Sequence, residues 1–396
     1  MSKTSKATKR ATSPRFGCGL GLMSGTSCDG VEAAVVRFEE SKGRLSARLH
    51  SHATAPYSSK KREILLKGMW TAQQVCVLNW ELGLVFAEVA RQAIAVAARH
   101  GIHVDFIASH GHTLVHLPRT ERTSCSGTLQ IGEPACIAEA TQLPVVSDFR
   151  KRDMTVGGQG APLVPYADWL FFARPDRRVW RLNIGGIANV TSVSRRFDDV
   201  IAFDLGPANM LIDAAVRIAT KSEMNMDTNG AMAAQGRIDA KLLDILTNHP
   251  YLDREPPKST GIEDFGAGVY LEPALKKRKQ TLAPEDLVAT ATEAAARIIH
   301  TSGMRYAWDL GGPADAPAEI IVSGGGARNP TLMGRLRALF GDTPVTTIDD
   351  HGIPSEAWEA AAFAILGYET LKGRPSNVPS ATGASRAVIL GNLTFP

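Results

Sequence analysis

The stretch Gly21-Leu22-Met23-Ser24-Gly25-Thr26-Ser27-Cys28-Asp29-Gly30 constrains this chain more than any other. An apolar run enters it, a Gly/Ser/Thr/Asp turn reverses it, and a β-rich run over 31–38 leaves it, which reads as strand, tight polar turn, strand. Small residues let backbone N–H groups approach an anion, Thr26 and Ser27 add hydroxyl donors, and Asp29 adds a carboxylate. Phosphate oxygens need such donors, and a hard cation accompanying them needs such an acid. The pattern lacks GxxxxGK[ST], so it is no P-loop. A hairpin turn without a ligand has the same composition, so the segment alone leaves both readings open.

At 396 residues the chain is long enough for two domains, each with its own core. Its 44 basic and 40 acidic residues nearly balance, so net charge implies no nucleic-acid partner. Five cysteines (Cys18, Cys28, Cys76, Cys125, Cys136) include no CxxC, which suits free thiols, a reducing compartment and a cytoplasmic location. No run approaches the ~18 apolar residues of a membrane span. The N-terminal 1–16 segment is basic, hydroxyl-rich and free of acids, and without an apolar stretch it is no secretory signal. A disordered tail and a transit peptide both fit it.

Strands and helices alternate along the rest. The hairpin theme returns at 179–193, where Gly185-Gly186 joins two apolar runs, and a third glycine turn, 323–326, lies between a strand and a helix. Two halves, each opened by a phosphate-gripping hairpin, describe an α/β, two-domain actin-like and sugar-kinase (ribonuclease H-like) fold with ATP in the interdomain cleft, where ligand sites favour such junctions. The expected division is a tail at 1–16, an N-terminal domain at 17–147 completed by about 370–396, and a C-terminal domain at 148–369. Apolar periodicity predicts one long helix within 60–100, a short strand at 106–108, and a last helix over about 356–371.

Several residues could carry chemistry. Asp204 follows the run 200–203 and precedes Gly206-Pro207, which puts a carboxylate at a strand end; it suits a general base and equally a turn-initiating aspartate. Asn183-Ile184-Gly185-Gly186 has the shape of a second phosphate loop. Gly324, Gly325 and Gly326 let a nucleoside pass close to the backbone. His110, His112 and His116 form HxHxxxH, which invites a metal hypothesis; hydrogen bonding to a substrate is the competing use. Arg150, Lys151 and Arg152 set cations beside the flexible 157–160 loop, as anion recognition or as a solvated charge run. Glu359 opens an alanine-rich helix, where a first-turn acid also favours the dipole.

Taken together, GLMSGTSCDGVEAA (21–34), SHGHT (109–113), TLQIGEPA (128–135), DFRKRD (148–153), GGQGAPLVP (157–165), NIGGIANVT (183–191), FDLGPANMLIDA (203–214), PPKSTG (256–261), VSGGGARNP (322–330) and GIPSEAWEAAAFA (352–364) resemble the anhydro-N-acetylmuramic acid kinase family. The resemblance spans nearly the whole chain after the tail. It implies an ATP- and Mg²⁺-dependent phosphotransferase that hydrolytically opens the 1,6-anhydro bridge of 1,6-anhydro-N-acetylmuramic acid and phosphorylates O6, in cell-wall sugar recycling. By that resemblance Asp204 is the catalytic base. Gly25, Thr26, Ser27, Cys28, Asp29 and Gly30 grip the ATP phosphates, Gly185 and Gly186 form the second phosphate loop, and Gly324, Gly325 and Gly326 lie near the nucleoside. Asp29 and Glu359 hold Mg²⁺, directly or through water. His110, Gln130, Arg150, Arg152, Gly158 and Gln159 face the sugar.

Three departures stand out. Ala208 replaces a usual glycine and would cost ~1 kcal/mol if its φ were positive. His112 replaces a usual glutamine, so a sugar contact is expected to differ. Ile262 replaces an arginine. A sister group acting on levoglucosan usually lacks the second arginine of DFRxRD, and this chain keeps Arg152, which favours the muramic acid substrate, with levoglucosan as the alternative. The implied partners are the anhydro-sugar and ATP, with neither nucleic acid nor membrane, and a homodimer is left open. Two rivals differ in class: a non-catalytic actin-like ATP-binding module, and a metal-dependent hydrolase built on the three histidines.

Overall fold

The structure, a computed structural model, describes residues 16–396 except 26, 42–43, 119–125, 176 and 308–316. Residues 1–15 of the basic tail, Thr26 and Cys125 therefore lie outside the described residues.

Two sheets share one plan. In the first, β1 (Cys18–Ser24), β2 (Gly30–Ser41) and β3 (Arg44–Pro56) run antiparallel in succession. Then β4 (Phe106–Leu117) joins β1 in parallel and β6 (Val145–Ser147) joins β4 in parallel. A further strand, β5 (Gly127–Ile131), folds back antiparallel on the outer half of β4. In the second sheet β7 (Val179–Ile184), β8 (Ile187–Val193) and β9 (Ile201–Pro207) are again an antiparallel meander. There β10 (Glu319–Ser323) pairs in parallel with β7, and β11 (Val345–Thr347) with β10. Spatial orders β6-β4-β1-β2-β3 and β11-β10-β7-β8-β9 are the same order twice. This is the duplicated, ribonuclease H-like plan of the two-domain actin-like and sugar-kinase fold. The last strand, β12 (Asn392–Thr394), returns to β6 and closes the first sheet's edge.

Helices fill three layers. The 60–100 stretch is two helices, not one: α1 (Ser59–Leu66) ends before Gly68, whose φ is +77°, and α2 (Ala72–Arg99) restarts with a capping box between Thr71 and Gln74. With α3 (Pro134–Thr141), α2 covers the outer face of the first sheet. The outer face of the second sheet is covered by α6 (Asn209–Ala219) and the helices Pro284–Tyr306 and Pro330–Phe340. Between the sheets, α4 (Phe149–Thr155), α5 (Pro165–Phe172) and the helix Trp358–Leu371 share one apolar core, in which Phe106 and Val146 of the first sheet meet Phe363, Val179 and Ile321. No described helix is long and apolar enough to cross a membrane.

Two expectations need correcting on the first sheet. The strand foreseen at 106–108 continues to Leu117 because β5 supplies a partner for its outer half, at the cost of a bulge between Thr113 and Val115. The edge strand β3 was not foreseen at all: only every second residue is even partly shielded, and none is buried.

The helix Trp358–Leu371 lies so close to β1 that a Cβ on Gly21 would sit 1.7 Å from the Ala360 carbonyl oxygen. Backbone cannot yield as a side-chain tip can, so Gly21→Ala must push the helix off the sheet. Overpacking of this kind costs about 1–3 kcal/mol or more. Urea unfolding of Gly21→Ala is expected to show at least that loss, and nucleotide affinity to fall with it because Glu359 adjoins the displaced contact.

Candidate functional site

The ends of β1 and β10 and the middle of β9 face a cleft between the sheets with a volume of about 860 Å³. Its lining divides by chemistry. Asp204, Lys258, Thr260 and Glu263 form one group in the lining, and Asp29, Glu32, Glu356 and Glu359 another, with Arg150 coupled to Glu359.

Asp204 is held by the 256–261 loop. The Asp204 N–H donates to the Lys258 carbonyl at 3.1 Å, and the Thr260 N–H donates to Asp204 Oδ2 at 3.0 Å. Behind it, the Tyr251 hydroxyl donates to the Asp204 carbonyl at 2.8 Å. Burial pushes the Asp204 carboxyl up to about 6, with Glu263 adding to the rise and the Thr260 bond and Lys258 opposing it. Lys258 is itself buried, its ammonium 4.5 Å from the Tyr306 ring centre and 4.9 Å from that of Tyr251, and desolvation takes its pKa down to about 8. Asp204 is not at a strand end, as the run 200–203 suggested, but in the middle of β9 opposite Asn189, because pairing with β8 carries the strand on to Pro207. A buried carboxylate with a near-neutral pKa is equipped to accept a proton at physiological pH.

The second and third glycine turns interlock. Gly186 accepts from the N–H groups of Ala208 and Met210 and Gly185 from that of Asn209, so the β7–β8 turn is fastened to the start of α6. Gly324 has φ +83° and lies against this turn, where a Cβ would come within 2.6 Å of Asn183 Oδ1 and 2.7 Å of the Ile184 carbonyl. Gly326 is buried behind it. Gly324 and Gly325 line the cleft; Gly185, Gly186 and Gly326 are outside its lining, although Asn183 and Asn189, flanking the turn, do line it.

At the first turn, Asp29 faces the cleft while Gly25, Ser27, Cys28 and Gly30 form the bend beneath it. The bend is braced from two sides. Tyr57 donates its N–H to the Asp29 carbonyl at 2.9 Å and its hydroxyl to Ser24 Oγ at 3.0 Å, and Arg62 pairs with the Asp29 carboxylate at 3.0 Å. Across from it, the His112 ring has Nδ1 3.1 Å from Ser24 Oγ and Nε2 3.8 Å from Cys28 Sγ. His112 is thus buried behind the 25–30 turn and does not line the cleft, contrary to the contact its substitution suggested.

The remaining departures resolve locally. Ala208 has φ −130°, so it bears no left-handed strain; the positive φ in this turn belongs to Gly206, at +147°. Ile262 is 72% exposed and outside the cleft lining.

The three histidines point to three destinations: His110 to Arg150, His112 to Ser24 and Cys28, His116 to Thr128. They share no common centre. Of the residues expected at the sugar, Arg150 and Gln159 line the cleft. His110 lies behind Arg150. Gln130 donates its amide to Thr128 Oγ1 at 2.8 Å, and that hydroxyl lies 3.0 Å from Nδ1 of the cleft-lining His116. Gly158 belongs to a loop anchored by the buried Asp153, whose carboxylate accepts from the Gly160 N–H, the Asn377 amide and the Thr382 hydroxyl, each at 2.8 Å. Arg152 is exposed in the last turn of α4 and outside the cleft lining.

In the second group Glu32, unremarked in the sequence, is crowded by burial and by Glu359, Glu356 and Asp29, which together push its pKa up to about 8. Glu359 is also raised by burial, with Arg150 opposing. These donors are all carboxylate oxygens, the set that suits a hard divalent cation, and Mg²⁺ needs only one or two of them when phosphates and water complete its shell. Among the described residues no three His, Cys, Asp or Glu side chains converge into a cage on their own.

The chain matches the model of the anhydro-N-acetylmuramic acid kinase family over residues 18–396. It is 40% identical over 381 residues to the anhydro-N-acetylmuramic acid kinase of Clostridioides difficile strain 630, covering 95% of this chain and 97% of that one. With the enzyme of the same description from Bacillus cereus strain AH187 the identity is 41% over 384 residues, covering 95% and 98%. Among solved structures, an activator of a 2-hydroxyisocaproyl-CoA dehydratase from Clostridium difficile with bound ADPNP aligns at 13% identity and TM-score 0.40, over 90% of this chain and 96% of that one. A ROK family glucokinase from Streptomyces griseus in complex with glucose and AMPPNP aligns at 12% identity and TM-score 0.38, over 88% and 99%. At those scores the fold rests on the chain's own strand order. The sequence relationship is of another rank: this kinase chain belongs to the anhydro-N-acetylmuramic acid kinase family.

Proposed function

We propose that the chain uses ATP to open the 1,6-anhydro bridge of 1,6-anhydro-N-acetylmuramic acid and to phosphorylate O6, giving N-acetylmuramic acid 6-phosphate. The observation that carries this reading is Asp204: a carboxylate in the middle of β9 that lines the cleft, anchored by Thr260 and titrating near neutrality. A water oxygen attacks C1 and gives its proton to Asp204 as the C1–O6 bond breaks. The freed O6 attacks the γ-phosphorus, and the bond to the ADP oxygen breaks. No covalent enzyme intermediate is required; positioning and charge stabilisation carry the rate.

In this proposal the turn 25–30 and the interlocked glycines Gly185, Gly186, Gly324, Gly325 and Gly326 surround the nucleotide. Asp29 and Glu359 would hold Mg²⁺, which neutralises charge on the transferring phosphoryl group. Gln159 and Arg150 reach the sugar from the cleft wall, Gln130 and Gly158 support that wall from behind, and Arg152 has no contact assigned to it.

Removing a general base lowers the rate about 10²–10⁴-fold. Asp204→Asn is expected to lose that much kcat in an ADP-release assay with the anhydro-sugar. In the wild type, kcat/KM should fall on the acid side with a midpoint near the Asp204 value of about 6, rather than near the ordinary aspartate value of 3.8. The stability effect has the opposite sense. A carboxyl raised from 3.8 in the unfolded chain to about 6 in the fold contributes stability that is present below pH 4 and lost as pH rises through 6. Asp204→Asn should therefore melt no lower than the wild type at pH 7, which separates lost chemistry from lost folding.

Chelation of divalent cations should abolish ADP release, with Mg²⁺ restoring it. Asp29→Asn and Glu359→Gln should each raise the Mg²⁺ concentration for half-maximal rate about tenfold or more, while leaving circular dichroism unchanged. A half-saturation that does not move in either variant would remove both residues from the cation's neighbourhood.

A further inference from the structure

Lys258 closes a ring of contacts around Asp204. Its carbonyl accepts the Asp204 N–H at 3.1 Å, and two residues on, the Thr260 N–H donates to Asp204 Oδ2 at 3.0 Å. Its ammonium reaches the other way, donating to the Leu252 carbonyl at 3.3 Å and the Tyr251 carbonyl at 3.5 Å. Tyr251 completes the circuit, because its hydroxyl donates to the Asp204 carbonyl at 2.8 Å. One side chain therefore ties the 256–261 loop to the turn Pro250–Asp253, and both are fastened to the same residue of β9.

That side chain is a cation in an aromatic cage. Its Nζ lies 4.5 Å from the ring centre of Tyr306, 4.9 Å from that of Tyr251 and 5.8 Å from that of Phe203. Ring faces and carbonyl oxygens hold a charged ammonium far more firmly than a neutral amine. The charged and titratable groups that face it come from three elements: Arg305 and Tyr306 on the helix Pro284–Tyr306, Tyr251, Asp253 and Arg254 along the turn, and Asp204 on β9. Burial lowers Lys258 to about 8, with Arg305 and Arg254 adding to the fall and Asp253 and Asp204 opposing it. Burial and Asp204 raise the Tyr251 phenol, which stays protonated over the same range.

We propose that Lys258 is a positioning residue for Asp204, and that the positive charge of its caged ammonium holds the 256–261 loop against that carboxylate, so that neutralising this ammonium sets the alkaline limit of the reaction. The inference rests on the kinase reading above and deepens it: Lys258 acts through the loop and not on the sugar. Unfolding has the opposite pH sense. A lysine at about 8 in the fold and 10.5 in the unfolded chain binds fewer protons in the fold between those values, so its contribution to stability rises with pH across that window. Rate lost above pH 8 through this group is therefore not lost folding.

The test measures kcat and the KM for 1,6-anhydro-N-acetylmuramic acid at saturating MgATP, from about pH 5 to about pH 9.5, in the wild type, Lys258→Met and Lys258→Arg, with circular dichroism at each pH. Wild-type kcat should fall with a midpoint near 8, so that the rate at pH 9 is about tenfold below that at pH 7. Lys258→Met keeps the length of the side chain and loses its charge and donors. It should lose kcat about 10- to 100-fold at pH 7, more than it raises KM. Its alkaline limb should disappear, and its acid midpoint should move above 6, because Lys258 no longer opposes the rise at Asp204. Lys258→Arg keeps a charge that does not titrate in this range. Whatever its absolute rate, its ratio of kcat at pH 9 to kcat at pH 7 should approach one. A merely structural role would lower rate and ellipticity together and leave both midpoints in place, which overturns the proposal. A wild-type kcat that stays level through pH 9 also overturns it. So does an alkaline limb near 8 that persists in either variant, which assigns the limb to another group, Glu32 being a cleft carboxyl raised to the same value. A wild type inactive toward the sugar at every pH is a different result, and it overturns the kinase reading itself.

Discussion

The buried pair between Arg181 on β7 and Asp168 on α5 is the contact on which the cleft depends. Its Nε–Oδ1 distance is 3.2 Å, and both residues are almost wholly enclosed. Burial pushes Asp168 up and Arg181 down, and each is opposed by the charge of the other. The guanidinium also donates to the Ile321 carbonyl at 2.6 Å and to Ser323 Oγ at 3.3 Å, and it lies over the rings of Phe172 and Trp358. One side chain therefore fixes the end of β10, where the third glycine turn begins, and the start of the helix carrying Glu359. Breaking such a pair by removing one partner costs about 3–5 kcal/mol, because the other charge is left unmatched. An apolar pair of equal volume could stabilise the fold as well. It could not present oriented donors to a carbonyl and a hydroxyl at the base of the 323–326 glycine turn.

Above this pair the cleft separates its charges. Asp29, Glu32, Glu356 and Glu359 form one group, in which burial and mutual repulsion raise Glu32 to about 8. Bringing a polyphosphate there without a cation would add negative charge to negative charge, so the nucleotide and a divalent ion are expected to bind as a unit. Asp204, in the other group, is tuned chiefly by desolvation, and a carboxylate so tuned becomes a better base as water leaves. The loops around it are fixed from far along the chain. Asp153, Asn377 and Thr382 together anchor the 157–160 loop, so residues near the C-terminus shape the cleft wall that carries Gln159.

Much of this was legible in the chain. The strand–turn–strand units at 21–30 and 183–190, the strand before Asp204 and the glycine turn at 323–326 are local signals, set by residue size, β-branching and turn chemistry. The turns and strands match the structure except that the strand expected to end before Asp204 runs through it to Pro207, and their succession matches the duplicated plan. Less legible was anything requiring a distant partner. The edge strand β3 has no strong pattern of its own, and β4 is extended by β5, which follows some ten residues later. Glu32 reads as an ordinary strand residue, because its burial and the nearness of Glu356 and Glu359 exist only once the 355–371 segment has packed on β1 and β2.

The histidines mark the same boundary. Their spacing in sequence is a fact of the chain, but along a strand with a bulge successive side chains face different surroundings. His110 meets Arg150, His112 meets the turn of β1, and His116 meets β5. Sequence by itself determined the fold class, the family and the glycine turns, because local backbone preferences and a long, ordered set of motifs are written in consecutive residues. Tertiary structure alone decided which of two neighbouring arginines enters the cleft, which histidine supports it, and how far Asp204 is desolvated. Those properties depend on what lies across the sheet and on how much water remains there, and no stretch of consecutive residues encodes either.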